Sequence, residues 1–203
     1  MDTTTVTGRT SLNLRWRVVD IVVASVIGVA AGLVFFAWNQ LYAPVSAPLQ
    51  VALPGLQSLV YGVWVIGGVV GGLVIRKPGA AILVELLAAI VSTGLGAQWG
   101  FLTLESGIVQ GLGAELVFLA FLYRGWRLPV AILAGAASGL AMAGNDLILY
   151  YAGADAWFAL VYTVSAVISG AVIAGAGGWL VVRALARTGV LTRFEAGRES
   201  PSS

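Results

Sequence analysis

The sequence predicts an all-α integral membrane protein, a single bundle of six transmembrane helices with both termini in the cytoplasm. Hydrophobic residues make up 59% of the 203 residues and charged residues only 10%, which leaves too little polar surface for a soluble domain. The apolar residues fall into six long stretches. Every Lys and Arg lies in the segments on one side of these stretches.

Each apolar stretch has, or nearly has, the roughly 20 residues that a helix needs to cross a hydrocarbon core. In chain order the stretches are 21–38, 53–75, 80–97, 107–123, 128–151 and 156–182. With their flanking residues they predict spans at about 18–41, 53–75, 79–97, 106–123, 128–151 and 156–183. The chain 1–203 is therefore expected to form one membrane domain, which ends in a short, polar and mobile cytoplasmic tail, 188–203.

Basic residues mark alternate ends of these spans. They precede the first span, follow the second, separate the fourth from the fifth and follow the sixth: Arg9, Arg15, Arg17, Arg76, Lys77, Arg124, Arg127, Arg183, Arg187, Arg193 and Arg198. Cytoplasmic loops carry the Lys/Arg excess, which places these segments and both termini in the cytoplasm. The outer connections 39–52, 98–106 and 152–155 contain no basic residue. The first of them holds Pro44 and Pro48 and is expected to form an ordered cap or lid.

Several function classes are excluded by residues that the chain lacks. It has no Cys and no His, which removes disulfides, thiol chemistry, imidazole bases and zinc sites built on sulfur or imidazole. It has no G-x-x-x-x-G-K-[ST] loop for ATP. The formal charge of +2 is spread over segments that border lipid, so we expect no nucleic-acid partner. The sequence therefore predicts a protein that is not an enzyme and uses no cofactor or metal.

Small residues four apart recur on several spans, and such spacing permits close approach of helix backbones in lipid. Most of these stripes are expected to pack inside the bundle. The stripe of Ala24, Gly28 and Gly32 on the first span is the best candidate for an external face. We expect a transmembrane partner subunit to dock on it.

Polar side chains within the spans are costly and commonly face a cavity or a partner. At about 1.5 Å per residue, chain direction gathers carboxylates, amides and aromatic rings in the outer half of the bundle, away from every basic residue. Such a site favours a cation or a hydrogen-bond donor. The candidate ligand-binding residues there are Tyr61, Trp64, Gln98, Trp99, Gln110, Glu115, Asn145, Asp146 and Tyr150, to which Glu85 is added from a deeper level.

Other polar and aromatic residues have simpler interpretations. Asp20 and Glu85 fall in the cytoplasmic third of the bundle. Neutralisation is the first expectation for both, by the basic side chains Arg15, Arg17, Arg76 and Lys77. The interfacial aromatic belt, or packing between helices, is expected to account for Trp38, Trp157 and Tyr162.

Two motifs on consecutive spans, together with a third on the second span, resemble a known family. The first is Ile75-Arg76-Lys77-Pro78-Gly79-Ala80-Ala81, followed by Glu85 and Ala88-Ala89; the second is Gly107-Ile108-Val109-Gln110-Gly111-Leu112-Gly113-Ala114-Glu115; the third is Tyr61-Gly62-Val63-Trp64. In this spacing, and over roughly residues 16–189, the chain resembles the YkoE family. Members of that family are substrate-binding membrane subunits (S components) of energy-coupling-factor transporters. One departure is Ser92, at a position where members often carry a second carboxylate.

The resemblance implies a protein that captures thiamin, or its hydroxymethylpyrimidine precursor, on the outer side of a bacterial plasma membrane. Uptake would be driven by a transmembrane coupling subunit and ATPase subunits, so those subunits, the small-molecule ligand and the lipid bilayer are the expected partners. The stripe of Ala24, Gly28 and Gly32 resembles the coupling-subunit contact of other S components. Two alternatives stay open: a proton-coupled secondary transporter that uses Glu85 and Glu115, and a structural membrane subunit that binds no small molecule.

Overall fold

The structure is a computed structural model that describes residues 14–192 and 194–198. Within these ranges all regular elements are helical and no strand occurs. In chain order they are α1 (Val18–Ala52), a 3-10 segment (Leu56–Val65), α2 (Ile66–Ile75), α3 (Ala80–Gly94), α4 (Leu102–Ala120), α5 (Leu128–Leu149), α6 (Ala156–Ser169), a π-helical segment (Gly170–Gly177), α7 (Gly178–Arg187) and α8 (Glu195–Arg198). The predicted cytoplasmic residues Arg9 and Arg193 lie outside the described residues.

Five apolar segments of the described chain are long enough to cross a membrane: Val18–Ala52, Leu56–Ile75, Leu102–Ala120, Leu128–Leu149 and Ala156–Arg187. The third predicted span corresponds to α3, a shorter apolar helix. An all-helical bundle of membrane-spanning length, as the composition predicted, is therefore confirmed.

The second membrane-crossing segment, the 3-10 segment with α2, lies at the centre of the bundle. It contacts α1, α3, α4, α5 and α7 as well as the π-helical segment. Every residue from Gly67 to Ile75 is buried. A helix that is apolar on all sides is stable only when other elements surround it, and this segment has no polar residue between Gly67 and Ile75 to face water.

α1 is longer than the sequence predicted. It continues from Val18 to Ala52, with Pro44 and Pro48 inside it. The expected outer connection 39–52 is therefore helical, which corrects the prediction of a separate cap or lid. Each proline removes one backbone donor, but tertiary packing outweighs this loss because Tyr42 and Ser46 are held against the rest of the bundle.

The small-residue stripe of α1 faces α3, within the same chain. Ala24, Gly28 and Gly32 are all buried. A Cβ atom at Gly28 would lie 2.5 Å from Leu87 Cβ, and one at Gly32 would lie 2.6 Å from Val91 Cβ. This corrects the prediction of an external partner face: the small residues are needed for the close approach of α1 and α3.

α5 and the last membrane-crossing segment approach each other more closely still. A Cβ atom at Gly139 would lie under 3.0 Å from the carbonyl oxygen of Ala166, and one at Gly135 would meet the carbonyl oxygen of Gly170. The π-helical segment begins at Gly170, directly at this contact. Because the obstacle is backbone and not a flexible side chain, no larger residue fits at these positions.

One end of the bundle, here called the basic end, carries the described Lys and Arg residues. Lys77 Nζ donates to the carboxylate of Asp20, and Arg17 Nη2 lies 2.9 Å from Asp20 Oδ1. Trp16 Nε1 donates to the carbonyl oxygen of Pro78 at 3.0 Å. The predicted neutralisation of Asp20 is therefore confirmed, and these contacts fasten the start of α1 to the turn between α2 and α3.

The chain after α7 folds back onto the bundle. α8 contacts α2 and α7, and Leu191 and Phe194 are buried. Residues 188–192 and 194–198 of the predicted tail therefore pack in part against the bundle, and the mobility of the tail stays a prediction. Its remaining residues, 193 and 199–203, lie outside the described part of the chain.

A matched pair of substitutions in α5 tests the close backbone contact. We expect Gly139→Ala to destabilise the protein by about 1–3 kcal/mol, as over-packing of a tight contact does. Gly144→Ala, in the same helix, places its Cβ where no atom lies within 4 Å and should leave stability unchanged or slightly raised. Thermal unfolding of both variants in detergent makes the comparison. Equal melting temperatures would mean that α5 and the last segment are not in backbone contact.

Candidate ligand cavity

A cavity of about 350 Å³ opens among the helix ends opposite the basic end. It lies between the second half of α1, the 3-10 segment, the end of α3, the start of α4, the end of α5 and the start of α6. The lining residues are Phe35, Asn39, Tyr42, Tyr61, Trp64, Glu85, Ala89, Ser92, Trp99, Thr103, Ser106, Gly107, Gln110, Met142, Asp146, Tyr150, Tyr151 and Tyr162.

Aromatic rings form one wall of the cavity. Tyr42 lies 5.1 Å from Trp64 and 5.5 Å from Tyr61, measured between ring centroids. Trp64 meets Trp99 edge to face at 5.2 Å, and Tyr61 meets Tyr162 at 5.8 Å. Edge-to-face contacts at such distances are favourable. They fix the rings in place, so the faces that remain open to the cavity are preorganised to receive a flat or cationic ligand.

Hydrogen bonds orient this wall. Trp64 Nε1 donates to Asn39 Oδ1 at 2.9 Å, and Asn39 Nδ2 donates to Ser92 Oγ at 3.2 Å. The hydroxyls of Tyr42 and Tyr61 lie 3.0 Å apart. A continuous set of polar contacts therefore links α1, the 3-10 segment and α3 around the cavity.

Glu85 supplies a carboxylate from α3. Its side chain is 1% exposed, and Oε2 accepts a hydrogen bond from the backbone N–H of Gly68. Oε1 has no hydrogen-bond partner among the described residues. The expected neutralisation by a basic side chain is therefore not found for Glu85 within the described chain. A buried acceptor without a partner carries a large desolvation cost, which a ligand that donates a hydrogen bond would remove.

Asp146 supplies a second carboxylate, from the last turn of α5. It is 8% exposed and its Oδ2 accepts a hydrogen bond from Tyr162 Oη at 2.7 Å. Tyr150 follows one turn later, just beyond the end of α5. Burial, together with the charges of Asp146 and Glu105, raises the pKa of Tyr150. Its hydroxyl therefore stays protonated and can donate to a ligand.

Most of the sequence-predicted ligand-binding residues lie at this cavity. The structure brings together seven of them, namely Tyr61, Trp64, Glu85, Trp99, Gln110, Asp146 and Tyr150. Gln98, Asn145 and Glu115 do not line it. Gln98 is exposed in the turn after α3. Asn145 Nδ2 donates to Glu105 Oε2 at 3.1 Å and to the Oγ atom of the lining residue Ser106 at 3.2 Å.

Glu115 lies toward the basic end, where it holds the turn before α3. Its carboxylate accepts from the backbone N–H of Gly79 at 2.7 Å and from that of Ala81 at 2.9 Å. Tyr123 Oη donates to it at 2.7 Å, and burial together with this carboxylate raises the pKa of Tyr123. Because the oxygens of Glu115 are occupied in this way, the structure gives this residue a structural role.

Two parts of the cavity wall are absent from the set of sequence-predicted ligand-binding residues. Phe35, Asn39 and Tyr42 lie on one face of α1 at spacings of four and three residues, and this helical spacing was the available signal. It was overlooked for Tyr42 because α1 was expected to end near residue 41. Tyr162, assigned to the aromatic belt or to packing, is fully buried and lines the cavity, whereas Trp157 is 62% exposed on the outside of the bundle.

No metal site accompanies the cavity in residues 14–192 and 194–198, where no group of three or more Asp or Glu side chains is placed to hold an ion. What the arrangement offers is aromatic faces, two carboxylates and several neutral hydrogen-bonding groups. It is suited to binding a small organic molecule.

Comparisons with known proteins agree with one another. A family model described as "ABC-type cobalt transport system, permease component" matches residues 19–141. The chain is 38% identical over 185 residues to a Bacillus subtilis (strain 168) protein named "Putative HMP/thiamine permease protein YkoE", covering 91% of this chain and 92% of that protein. A solved structure titled "Crystal structure of an S-component of ECF transporter" matches with a TM-score of 0.83 and 38% identity, over 91% of this chain and 93% of that one.

The structural role of Glu115 can be tested against a second glutamate of α4. We expect Glu115→Gln to destabilise the protein by about 1–3 kcal/mol, because the amide nitrogen cannot accept and one buried donor loses its partner. Glu105→Gln, at an exposed site with one amide partner, should change stability little. Thermal unfolding measures both effects. Equal melting temperatures of Glu115→Gln and the parent protein would mean that these hydrogen bonds do not stabilise the turn before α3.

Proposed function

This chain belongs to the YkoE family of substrate-binding membrane subunits, the S components of energy-coupling-factor transporters, and we propose on this premise that its cavity binds thiamin or the hydroxymethylpyrimidine precursor of thiamin. The chain is a multi-pass bacterial plasma-membrane protein and a transport subunit, not an enzyme. The relative named an HMP/thiamine permease is similar over nearly its whole length.

One observation supports this ligand class most directly: the cavity combines open aromatic faces with two carboxylates, and no Lys or Arg is among its lining residues. Thiamin has a permanently cationic thiazolium ring and an aminopyrimidine that both donates and accepts hydrogen bonds. A desolvated cation over an aromatic face gains about 2 kcal/mol or more. The unpartnered Oε1 of Glu85 is a suitable acceptor for an amino group.

The proposed ligand contacts follow from the lining. Aromatic contact is assigned to Tyr42, Tyr61, Trp64 and Trp99, and polar contact to Asn39, Glu85, Gln110, Asp146 and Tyr150. Tyr162 is assigned a positioning role because its hydroxyl donates to Asp146. Glu115 is left out of this set because its oxygens are occupied by the turn before α3.

Energy for uptake is assigned to partner subunits, namely a transmembrane coupling subunit and ATPase subunits. The chain contains no Walker-type ATP loop, which fits this division of labour. A self-sufficient proton carrier that uses Glu85 and Glu115 is less well supported, because Glu115 lies outside the cavity and is tied to backbone N–H groups.

The proposed orientation has six spans, with the basic end and both termini in the cytoplasm. α3 is the span that length alone does not identify, since it has 15 residues. Its place between α2 and α4, and its contacts with both of them and with α1, support a crossing of the membrane within the bundle. In this orientation the cavity is reached from outside the cell.

Ligand affinity of the purified chain tests the proposed function. We expect the parent protein to bind thiamin, and Asp146→Asn to bind it about tenfold to a hundredfold more weakly because a charged partner of the ligand is lost. Trp64→Ala should also weaken binding, through the loss of an aromatic face. Isothermal titration calorimetry in detergent measures each affinity after a melting curve has shown that the variant is folded.

The control for these substitutions is Trp157→Ala. Trp157 lies 62% exposed on the outside of the bundle, so its removal should leave thiamin affinity unchanged. If the parent chain binds neither thiamin nor the hydroxymethylpyrimidine, the proposed function is wrong. If Asp146→Asn and Trp64→Ala bind as the parent does, the ligand occupies another site.

Cysteine labelling on intact cells tests the proposed orientation. The chain contains no Cys, so single cysteines give an unambiguous signal. Exposed positions suit the assay, and both Arg124 and Ala154 are exposed. A membrane-impermeant maleimide should label Ala154→Cys on intact cells and Arg124→Cys only after permeabilisation. The reverse labelling pattern would show that the basic end faces the outside of the cell.

A further inference from the structure

All formal charges at the cavity have the same sign among the described residues. Glu85 and Asp146 line it, and Glu105 lies close enough for its charge to act on Tyr150 at the rim. The described basic side chains are gathered at the basic end, where Lys77 and Arg17 are paired with Asp20. A ligand in the cavity therefore meets acidic side chains that no nearby cation offsets.

Anionic groups in proteins are held by Arg, by Lys or by the free N–H groups at a helix start. No Arg or Lys is among the residues that line this cavity. α4 does begin beside it, at Leu102, but the first turn of that helix carries Glu105. This carboxylate opposes the attraction of the helix start for an anion. A phosphate group would therefore find no cationic partner here.

Burial makes the absence of a cation costly for an anionic group. Glu85 is 1% exposed and Asp146 is 8% exposed, so a phosphate beside them would give up much of its water. A charge that loses its water without gaining a cationic partner is strongly disfavoured, and the carboxylate of Asp146 adds a repulsion that is stronger here than in water. A phosphate ester brings about −1.5 to −2 charges at neutral pH, enough to outweigh the single positive charge of a thiazolium ring.

Resting on the proposed function, we propose that this cavity selects unphosphorylated thiamin and excludes thiamin phosphates by charge, with Asp146 as a specificity-determining residue. Thiamin phosphates carry their phosphate on the hydroxyethyl tail of the thiazolium ring. Wherever that tail lies in the cavity, it meets a surface with carboxylates and neutral dipoles only. Asp146 is singled out because it combines burial with a place near the rim, beside Tyr150 and Glu105.

Comparison of three ligands shows whether the charge or the size of the phosphate group causes its exclusion. Isothermal titration calorimetry on the purified parent chain is carried out with thiamin, thiamin monophosphate and O-acetylthiamin, whose ester is neutral. We expect the monophosphate to bind at least about tenfold more weakly than thiamin, and O-acetylthiamin to bind nearly as well as thiamin. Equal affinity for thiamin and its monophosphate overturns this proposal and leaves the proposed function standing. Equal rejection of both esters overturns it too, because size would then be the cause.

Removal of one charge tests the role of Asp146. Asp146→Asn keeps an oxygen that can accept from Tyr162 Oη but loses the negative charge. It should lower the ratio of thiamin affinity to monophosphate affinity by about threefold or more. Glu115→Gln removes a carboxylate that lies outside the cavity and should leave the ratio unchanged. An unchanged ratio in Asp146→Asn overturns the assignment of Asp146. Failure of the parent to bind any of the three ligands overturns this proposal, and failure to bind the hydroxymethylpyrimidine as well overturns the proposed function.

Discussion

Close contact between helix backbones is the constraint on which this molecule depends. The bilayer supplies no hydrophobic force between helices, so association rests on packing and on polar contacts. At Gly139 and Gly32 the opposing helix leaves no room for a side chain. These contacts bring the outer helices close together around the central segment, and its part α2 can be apolar on every side because it is enclosed.

The acidic side chains inside the bundle form two sets, one with a structural role and one at the cavity. Asp20 and Glu115 are saturated by Lys77 and by backbone N–H groups respectively, and together they fasten the turn between α2 and α3. Glu85 and Asp146 keep acceptor capacity on the cavity side. In a low-dielectric interior an unpaired acceptor destabilises the protein. These acceptors lie at the cavity, where a hydrogen-bond donor on a ligand can pair with them. The ligand chemistry of the cavity therefore depends both on which residues line it and on which of their acceptor atoms lack a hydrogen-bond partner among the described residues.

Much of this arrangement could be predicted from sequence because lipid makes composition and charge placement informative. The family followed from motifs around Arg76 and Gln110, and the helical membrane fold followed from the apolar stretches. The depth predicted for individual residues in the membrane was less reliable than the fold. α4 begins at Leu102, about four residues earlier than predicted, and at 1.5 Å per residue this moves Glu115 about 6 Å toward the basic end. Residue spacing also identified the face formed by Gly28 and Gly32, but spacing carries no information about which helix covers it.

The length of α1 has a consequence for the membrane itself. Its 35 residues extend for about 52 Å, against a hydrocarbon thickness of about 30 Å. Leu41, Val45 and Val51 are exposed along its second half, so that half is not suited to stand free in water. Hydrophobic mismatch of this kind is relieved by helix tilt or by local thickening of the bilayer. Because α1 carries Tyr42, a change in its tilt is expected to reach the cavity wall.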